Sequence, residues 1–425
     1  MHFFGYRGKR FYAEGVAVEK IAGAMGTPVY IYSRKTLKRH YAAFTEAFSK
    51  APHLICFSIK ANSNISVLKA FAEENSGFDI VSGGELFRAL KAGADPGKIV
   101  FSGVGKRADE IEYAIKSDIL MFNVESPQEL RAIDSIAGRL RKKANISIRV
   151  NPDVDPLTHP YISTGLKKNK FGIETSLAVK EYVFAKNNLK NVAPIGVDCH
   201  IGSQITKIEP FADALRKTAG LVSTLRREGL AIKYLDMGGG LGITYDTETP
   251  PHPSRYGEAV MEGTRGLDVT LIFEPGRSIV GNAGILVTEV IYTKKNAEKN
   301  FVIVDAAMND LARPSLYGSY HAIKAVKDAG GAEITADVVG PICESGDFLA
   351  KDRIVPDVKP GDLLAVMSAG AYGFSMSSNY NSRPRAAEVM VDGREFAVIR
   401  ERETLKDLIR GERPVEKKAA RGRRK

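Results

Sequence analysis

The chain has 425 residues and a mass of 46.3 kDa, which is more than one small domain needs and enough for two, one of them a large α/β barrel. Apolar residues make up 44% and charged residues 26%, the proportions of a globular protein, so intrinsic disorder is excluded as the main state. No apolar run reaches the roughly 18 residues of a transmembrane helix, and the start lacks a charged segment followed by an apolar one, so we expect neither a membrane partner nor a secretory signal.

The positive charge is concentrated at the end of the chain. The net charge is +11, and residues 412–425 carry seven basic and two acidic residues, which is +5 of that total. We interpret 412–425 as a disordered basic tail, because a run of like charges usually stays solvated, and we expect no nucleic-acid partner. Electrostatic contact of the tail with RNA, DNA or an anionic surface is the alternative.

Cysteine usage indicates a reducing compartment. Cys56, Cys199 and Cys343 lie more than a hundred residues apart. An odd and sparse set argues against a disulfide framework and against a cysteine-type zinc site, and there is no His-Glu-x-x-His motif. We therefore expect no metal and a cytoplasmic location.

The first predicted helix begins after Ser33, because apolar residues then recur at steps of three and four. These residues are Leu37, Tyr41, Phe44 and Phe48. Two later helices carry N-cap signals: Ser82 and Ser126 each precede a glutamate by three residues, and Pro127 takes a first helical position.

Eight short apolar runs alternate with these helical patterns and predict strands. They are Leu54–Ile59, Phe78–Val81, Ile99–Phe101, Ile119–Phe122, Ile146–Val150, Ile195–Cys199, Tyr234–Met237 and Leu271–Phe273. Eight strands interleaved with helices predict a (β/α)8 barrel of the TIM type over 36–277, with a doubly wound sheet as the alternative.

Polar and glycine-rich clusters after most of the strands favour the barrel, because a barrel brings all its strand ends to one mouth. The clusters are Lys60–Asn62, Ser82–Glu85, Ser102–Gly103, Asn123–Ser126, Asn151–Pro152, His200–Ser203, Gly238–Gly242 and Glu274–Arg277.

After about residue 278 strand-like runs follow one another without long helices, which predicts an all-β second domain of the barrel or sandwich kind. The runs are Ile285–Tyr292, Phe301–Val304, Ala336–Val339, Leu363–Met367, Ala387–Val391 and Phe396–Ile399. We assign 278–411 together with 1–35 to this domain, since Val29–Tyr32 precedes the barrel and can join its sheet.

Lys60 is a candidate Schiff-base lysine, because it ends an apolar strand where desolvation would lower the pKa of its ammonium. A lysine that merely snorkels to the surface is the alternative. Gly238–Gly242 follows a strand and can start a helix that attracts an anion, or it can be a tight turn without a ligand.

Glu274 and Arg277 share one strand end. They form a local ion pair, or the carboxylate holds a proton on a heteroaromatic nitrogen while the guanidinium binds a carboxylate or phosphate. His200 follows another strand, as a further candidate or as a hydrogen-bonded surface histidine.

Taken together, six motifs in order resemble the fold-type III pyridoxal-phosphate decarboxylases of basic amino acids. They are Phe57–Asn62, Cys199–Ser203, Gly238–Gly242, Glu274–Arg277, Cys343–Asp347 and Ala371–Gly373. The resemblance covers residues 4–411.

Two segments point to the branch of this family that acts on diaminopimelate. They are His159–Gly165 running into Lys170–Ile173, and Asn309–Tyr317. The ornithine-specific branch lacks Arg313 and has Cys-Asp in place of Cys343-Glu344. Diaminopimelate carries a distal carboxylate and a distal amine, which an arginine and a glutamate can pair.

The resemblance implies a role for each site residue. Lys60, His200 and Cys343 are the implied catalytic residues: the Schiff-base lysine, the histidine that stacks on the cofactor ring, and the acid that protonates Cα. Glu274 is implied to pair with the pyridine nitrogen, and Asp79 to lie beside Lys60. The implied phosphate ligands are Ser203, Gly239, Gly276, Arg277 and Tyr372. The implied substrate-binding residues are Arg277, Arg313, Tyr317, Glu344 and Tyr372.

The family further implies an obligate homodimer in which Cys343 and Glu344 reach the other subunit's site. The implied reaction is the decarboxylation of meso-2,6-diaminopimelate to L-lysine and CO2, the last step of lysine biosynthesis. Three alternatives were weighed: the same chemistry on ornithine, arginine or carboxynorspermidine, a catalytically silent regulatory homologue, and an alanine-racemase-like activity. Lys60 and Cys343 speak against the regulatory homologue, since such a protein would be expected to have lost one of them.

Overall fold

The computed structural model of the chain describes residues 2–155, 170–328 and 330–415. The predicted motif His159–Gly165 and most of the predicted tail, 416–425, lie outside these ranges. No helix among the described residues is long and apolar enough to cross a membrane.

The chain begins with a small antiparallel sheet of β1 (Phe4–Arg7), β2 (Arg10–Ala13) and β3 (Val16–Ala17), followed by α1 (Val18–Met25), β4 (Val29–Ser33) and α2 (Arg34–Ala47). Helix α2 begins as predicted, because the Ser33 hydroxyl accepts a hydrogen bond from the Thr36 N–H at 3.1 Å. Phe48 lies just beyond the helix and stacks on Phe273 with ring centroids 3.8 Å apart.

The barrel follows as alternating strands and helices. In chain order they are β5 (His53–Ser58), α3 (Ile65–Ala72), β6 (Gly77–Ile80), α4 (Gly83–Lys91), β7 (Ile99–Phe101), α5 (Ala108–Lys116), β8 (Met121–Val124), α6 (Pro127–Arg139), β9 (Ala144–Asn151), β10 (Ile173–Glu174), α7 (Thr175–Asn188), β11 (Val192–Asp198), α8 (Glu209–Arg227), β12 (Tyr234–Asp236), α9 (Pro253–Gly263) and β13 (Thr270–Phe273). Short 3-10 helices lie at Ile59–Ala61 and Pro96–Lys98.

All eight predicted barrel strands are confirmed, and they form a closed parallel sheet. Its order is β5-β6-β7-β8-β9-β11-β12-β13, and β13 pairs back onto β5 with Phe273 opposite Ile55. The doubly wound alternative is therefore excluded, since its sheet stays open. Strand β10, which the sequence did not predict, adds two residues to β9.

The predicted helix caps are confirmed. The Ser82 hydroxyl accepts from the Glu85 N–H and the Ser126 hydroxyl from the Glu129 N–H, each at 3.2 Å. Pro127 is the first residue of α6. These caps satisfy N–H groups that a helix start leaves without backbone partners.

The rest of the described chain is mostly sheet. Its elements are α10 (Arg277–Val280), β14 (Gly284–Lys295), β15 (Asn300–Val304), α11 (Arg313–Tyr317), β16 (Ile323–Ala325), β17 (Glu333–Val339), β18 (Phe348–Pro356), β19 (Leu363–Val366), β20 (Ala387–Asp392), β21 (Glu395–Arg400) and α12 (Leu405–Leu408). Short 3-10 helices lie at Gly281–Ala283, Phe374–Met376 and Tyr380–Ser382.

These strands form one sheet of order β18-β17-β15-β14-β4-β20-β21, with β19 paired to β14 and β16 paired to β19. All six predicted runs are strands, and β4 lies between β14 and β20, as predicted for Val29–Tyr32. The sequence did not predict β16 or β18. Strand β18 lies at a sheet edge with Lys351 and Asp352 exposed, so it lacks the apolar pattern of a buried strand.

A buried carboxylate joins the barrel to this sheet. Glu388 on β20 accepts hydrogen bonds from the Tyr32 hydroxyl at 2.8 Å, from Asn64 Nδ2 at 2.8 Å and from Arg400 Nε at 2.5 Å. Asn64 also caps α3, where its Oδ1 accepts from the Ser66 N–H at 2.9 Å. One side chain therefore holds together β4, β20, β21 and the first barrel helix after Lys60.

We expect Glu388→Ala to lower the free energy of unfolding by about 3 kcal/mol, because it leaves Arg400 and the Tyr32 hydroxyl without their buried anion. Urea denaturation followed by circular dichroism measures the change. The matched control is Glu112→Ala, which removes an exposed partner of Lys116 and should have little effect. Equal stability of the two variants would contradict this role for Glu388.

Candidate active site

The carboxyl ends of the barrel strands bring a set of polar side chains to one mouth. Lys60 follows β5, His200 follows β11 and Glu274 follows β13, while Asp79 lies in β6 and Asp236 ends β12. In a barrel of this kind the carboxyl ends of the strands form the active-site face. The candidates separated along the sequence therefore meet in one place.

Lys60 forms an ion pair with Asp79 at the mouth. The Lys60 Nζ lies 2.7 Å from Asp79 Oδ2, and the Ser58 hydroxyl donates to the same oxygen at 2.5 Å. Asp79 is fully buried, whereas the Lys60 side chain keeps 34% of its exposure. The amine is thus oriented by a buried anion and still reachable from solvent.

The expectation that the Lys60 pKa is lowered is wrong. Burial acts in that direction, but the carboxylates of Asp79 and Glu274 outweigh it and raise the pKa of the ammonium. The sequence shows the apolar strand before Lys60 but not the carboxylates that neighbouring strands bring to it. A ligand that reacts with this amine must therefore compensate the two carboxylates.

Glu274 lies in a buried network with few positive charges. Its Oε1 accepts hydrogen bonds from Ser102 Oγ and Asn123 Nδ2, both at 3.2 Å. Burial, together with the charges of Asp236 and Asp79, raises the pKa of Glu274 well above its usual range. A protonated ring nitrogen beside Glu274 would relieve this excess of negative charge.

His200 is a neutral imidazole in this setting. The Gly239 N–H donates to His200 Nδ1 at 3.1 Å, which assigns the ring proton to Nε2. Burial and the charges of Arg149 and Lys60 lower the pKa of His200 well below its usual value. A Cβ at position 239 would lie 2.4 Å from the Glu274 carbonyl oxygen, so only glycine fits there.

Of the two alternatives left open for Gly238–Gly242, the structure excludes the helix start. The next helix, α9, begins at Pro253, and the glycine-rich segment is a turn. The Gly238 N–H donates to Asp236 Oδ1 at 2.9 Å, and Leu241 pairs with Ile205 through an isolated bridge. The turn brings its backbone close to His200 without help from a helix dipole.

Glu274 and Arg277 do not form the local ion pair considered above. Arg277 donates instead to the Tyr245 hydroxyl at 2.7 Å and to Ser203 Oγ at 3.1 Å, and its guanidinium lies 4.8 Å from the Tyr372 ring centroid. Tyr372 has a φ of +55°, and its N–H donates to Ala61 O at 2.8 Å. This strained backbone places an aromatic hydroxyl beside the Lys60 segment.

Arg313 lies beside Arg277, although the two come from different units. Its guanidinium lies 4.9 Å from the Tyr245 ring centroid and 5.9 Å from that of Tyr317. Both arginines are only 5% exposed, and no carboxylate of the described residues is within salt-bridge distance of either. Two buried cations without an anion form a site suited to carboxylate or phosphate groups.

No described hydrogen bond within the chain links Cys343 or Glu344 to the residues of the mouth. Cys343 and Glu344 lie in the connection between β17 and β18, and both are exposed. The Cys343 N–H donates to Asn381 Oδ1, and the Tyr380 hydroxyl donates to Glu344 Oε2, each at 2.8 Å. These partners belong to the same surface of the sheet unit.

Tyr245 and Arg149 were not predicted from the sequence. Tyr245 lies in an irregular segment without a motif, so no sequence signal marked it. Arg149 is buried in β9 and pairs with Glu125 at 2.9 Å, and its guanidinium lies 4.8 Å from the Phe171 ring centroid. A charged residue inside the apolar strand Ile146–Val150 was the signal that could have found it.

The residues of the mouth fit pyridoxal phosphate. Lys60 would supply an amine for its aldehyde, Glu274 an acceptor for its ring N–H, and Ser203 and Arg277 hydrogen-bond donors for its phosphate. The buried Asp79 Oδ1 has no hydrogen-bond partner among the described atoms, so the site still offers an unused acceptor. The described residues contain no group of three His, Cys, Asp or Glu side chains able to hold a metal ion.

Comparison with known proteins agrees with this chemistry. The family model described as "Pyridoxal-dependent decarboxylase, pyridoxal binding domain" matches residues 34–281. The chain therefore belongs to the pyridoxal-dependent decarboxylases, and its cofactor is pyridoxal phosphate.

Similar proteins narrow the class. The chain is 54% identical to the diaminopimelate decarboxylase of Pseudomonas aeruginosa, across 97% of this chain and 99% of that one. The solved diaminopimelate decarboxylase of Helicobacter pylori complexed with L-lysine is 47% identical at a TM-score of 0.90, covering 92% of this chain and 98% of that one. The enzyme of M. jannaschii in co-complex with L-lysine is 38% identical at 0.92, covering 97% and 98%. The chain is thus a member of the diaminopimelate decarboxylase family.

The stability of the cofactor-free protein should depend on the buried acids. Burial raises the pKa of Asp236 to about 6, so between about pH 4 and 6 the folded chain binds more protons than the unfolded chain. The free energy of unfolding should therefore fall as the pH rises through this window, and Asp236→Asn should flatten the fall. Denaturation at about pH 4, 5, 6 and 7 measures both. The control is Asp213→Asn on the surface of α8, and an equal slope in Asp236→Asn and the unaltered protein would contradict the prediction.

Proposed function

We propose that this chain decarboxylates meso-2,6-diaminopimelate to L-lysine and CO2 and so completes lysine biosynthesis. The observation that carries the proposal is the pair Arg277 and Arg313, buried side by side without a carboxylate from the described protein. The cofactor phosphate and the carboxylates of the substrate supply the missing anions, and the distal carboxylate is the one that Arg313 needs. The names of the similar proteins, and the L-lysine bound in two of them, support the same substrate class.

The proposed substrate contacts use both units of the chain. Arg277, Arg313 and Tyr317 bind carboxylate, and the hydroxyl of Tyr372 lies with them and with the phosphate ligands Ser203, Gly239 and Gly276. Glu344 is assigned to the distal amine, because it is exposed and anionic. Ornithine has no distal carboxylate and would leave Arg313 buried and unpaired, which disfavours it as substrate.

In the proposed reaction, Cα of the substrate loses its carboxylate as CO2 and gains a proton in its place. Bound pyridoxal phosphate supplies the electron sink for the pair left when CO2 departs. Glu274 would hold the proton on the ring nitrogen of the bound cofactor, and neutral His200 would lie against its ring without adding a second positive charge. The Cys343 thiol donates the proton to Cα and becomes a thiolate, which then takes a proton from water.

We also propose that the enzyme is a homodimer with shared sites. Cys343 and Glu344 are exposed, and their described hydrogen bonds stay within their own unit, away from Lys60. A second copy that docks this loop at the mouth would complete the site. The unit boundaries 36–277 and 278–411 with 1–35 remain our proposals, as does a cytoplasmic location, which fits the three unpaired cysteines.

The first experiment measures CO2 release from meso-diaminopimelate, ornithine and arginine at equal concentration with added pyridoxal phosphate. We expect release from diaminopimelate alone, and a loss of at least about tenfold in kcat/KM in Arg313→Ala. Release from ornithine or arginine would show that the distal pocket is misassigned. Bound cofactor without any release would favour a regulatory homologue.

The second experiment tests the proton donor and the dimer together. Cys343→Ala should lower kcat by about a hundredfold, since it removes a general acid, while the absorbance of the bound cofactor stays unchanged. Lys60→Ala should be inactive. Because the two residues act from different subunits, mixing the inactive Lys60→Ala with the impaired Cys343→Ala should restore about a quarter of the normal activity once the subunits have exchanged.

Two controls make the mixing experiment decisive. Lys60→Ala mixed with Glu274→Ala should stay inactive, because both residues belong to one barrel. Cys56→Ala, which changes a buried cysteine of the barrel wall, should keep its turnover. If the mixture of Lys60→Ala and Cys343→Ala shows no recovery although both fold and their subunits have exchanged, the shared site is wrong.

A further inference from the structure

The hydrogen-bond acceptors and the aromatic rings around Arg313 are all neutral. Its Nε donates to His321 Nε2 at 3.4 Å, and its Nη2 donates to Ser319 Oγ at 3.0 Å. The rings of Tyr245 and Tyr317 flank the guanidinium. The side chain is therefore oriented on several sides while its charge stays unneutralised.

The protonation of His321 follows from its hydrogen bonds. His321 Nδ1 lies 2.8 Å from the Met367 carbonyl oxygen, which can only accept, so Nδ1 carries the hydrogen and Nε2 presents a lone pair to Arg313. Burial, with the charge of Arg313, lowers the pKa of His321 to about 3. The other charged groups acting on this ring are Arg277 and Arg353, which favour the neutral form as well.

His321 is held firmly from its backbone and its ring. Arg353 Nη1 donates to the His321 carbonyl oxygen at 3.1 Å, and the Met367 N–H donates to Ala322 O at 2.8 Å. The imidazole meets the Tyr245 ring edge-on, with centroids 5.2 Å apart. It is fully buried. A residue fixed in this way can set the direction of the Arg313 side chain.

Arg149, which is buried, and Arg400, which is half-buried, are held differently. Arg149 pairs with Glu125 at 2.9 Å and Arg400 with Glu388 at 2.5 Å, so carboxylates neutralise them. Arg277 shares the neutral pattern of Arg313, with Ser203 and Tyr245 as acceptors. Arg149 and Arg400 thus have a carboxylate from the protein, and the two arginines at the mouth do not.

We propose that His321 is a positioning residue for substrate recognition: it holds Arg313 through a neutral acceptor, so that the guanidinium keeps its full charge for a carboxylate of the ligand. The inference rests on the proposed function for the identity of that ligand. It adds the residue that determines how strongly the site prefers a carboxylate at this position, and that residue acts through Arg313.

The test compares two ligands that differ only in one carboxylate, L-lysine and 1,5-diaminopentane. Their inhibition constants, or their dissociation constants from calorimetry, are measured on the holoenzyme of the unaltered protein and of His321→Gln, His321→Leu and His321→Glu. Glutamine keeps a neutral acceptor near the Nε2 position, leucine removes the acceptor, and glutamate replaces it with an anion. Thermal unfolding reports whether each variant folds, and kcat and KM for diaminopimelate are recorded beside the binding data.

We expect His321→Glu to lower the preference for L-lysine over 1,5-diaminopentane by about tenfold or more, because the new carboxylate competes for Arg313. His321→Leu should lower it by a smaller factor, and His321→Gln should retain it. For diaminopimelate the change should appear mainly in KM, since the reacting groups are untouched. A general loss of packing would instead weaken the binding of both ligands and leave the ratio of their dissociation constants unchanged.

An unchanged ratio in His321→Glu overturns the proposal, and so does an equal ratio in the leucine and glutamine variants. If His321→Glu does not fold, the comparison of leucine with glutamine decides. Failure of the proposed function is recognised separately: an unaltered protein that prefers L-lysine but releases no CO2 from diaminopimelate keeps this inference and loses the reaction. An unaltered protein without any preference overturns the inference itself.

Discussion

The pairing of β13 with β5 is the constraint on which the site depends. Parallel strands of one sheet align their carboxyl ends, and closure makes the first and last strands neighbours. Phe273 therefore lies opposite Ile55, and the Ser58 N–H donates to the Pro275 carbonyl oxygen at 3.1 Å. Without this closure, Lys60 and Glu274 would lie at opposite edges of an open sheet. With it, the amine and the carboxylate face one mouth.

The mouth has a side rich in buried carboxylates and a side with two buried arginines. The first suits the protonated ring of the proposed cofactor, and the second suits phosphate and carboxylate groups. On one side, buried carboxylates outnumber their cations, so Lys60 is held charged and Glu274 is ready to accept a protonated ring. On the other side, Arg277 and Arg313 have no anion from the described protein. Tyr245 joins the two arginines, since its hydroxyl accepts from Arg277 while its ring packs against Arg313. The mouth thus contains buried negative charge on one side and buried positive charge on the other. In the proposed complex, the cofactor and the substrate neutralise both.

The second unit is part of the site as well as a support for it. Arg313 comes from the segment before β16, and Tyr372 from the loop after β19, whose N–H bonds to Ala61 beside Lys60. Glu388 ties the same two units together through Asn64. The interface between barrel and sheet therefore sets the distance between Lys60, at the proposed cofactor site, and Arg313, at the proposed substrate site.

The regular elements were largely predictable because their signals are local. Apolar runs and serine caps decide strands and helix starts over a few residues, so all eight barrel strands, the six later strands and the caps at Ser82 and Ser126 were found. Strand β18 was missed because an edge strand with charged residues has no such pattern. The choice between a helix start and a turn at Gly238–Gly242 stayed open, because glycine freedom alone does not distinguish the two.

The sequence alone established the chain order of the motifs, their residue types and the alternation of strand with helix. These were enough to indicate the barrel, the family resemblance, and Lys60, His200 and Glu274 as candidates. Only the tertiary structure decided how the charges balance: that the pKa of Lys60 is raised, that Arg277 has Tyr245 and not Glu274 as its partner, and that His321 holds Arg313 without neutralising it. The reason is physical. Electrostatic and hydrogen-bond energies depend on distances between groups far apart in the chain, and those distances exist only once the barrel has closed and the sheet has docked against it.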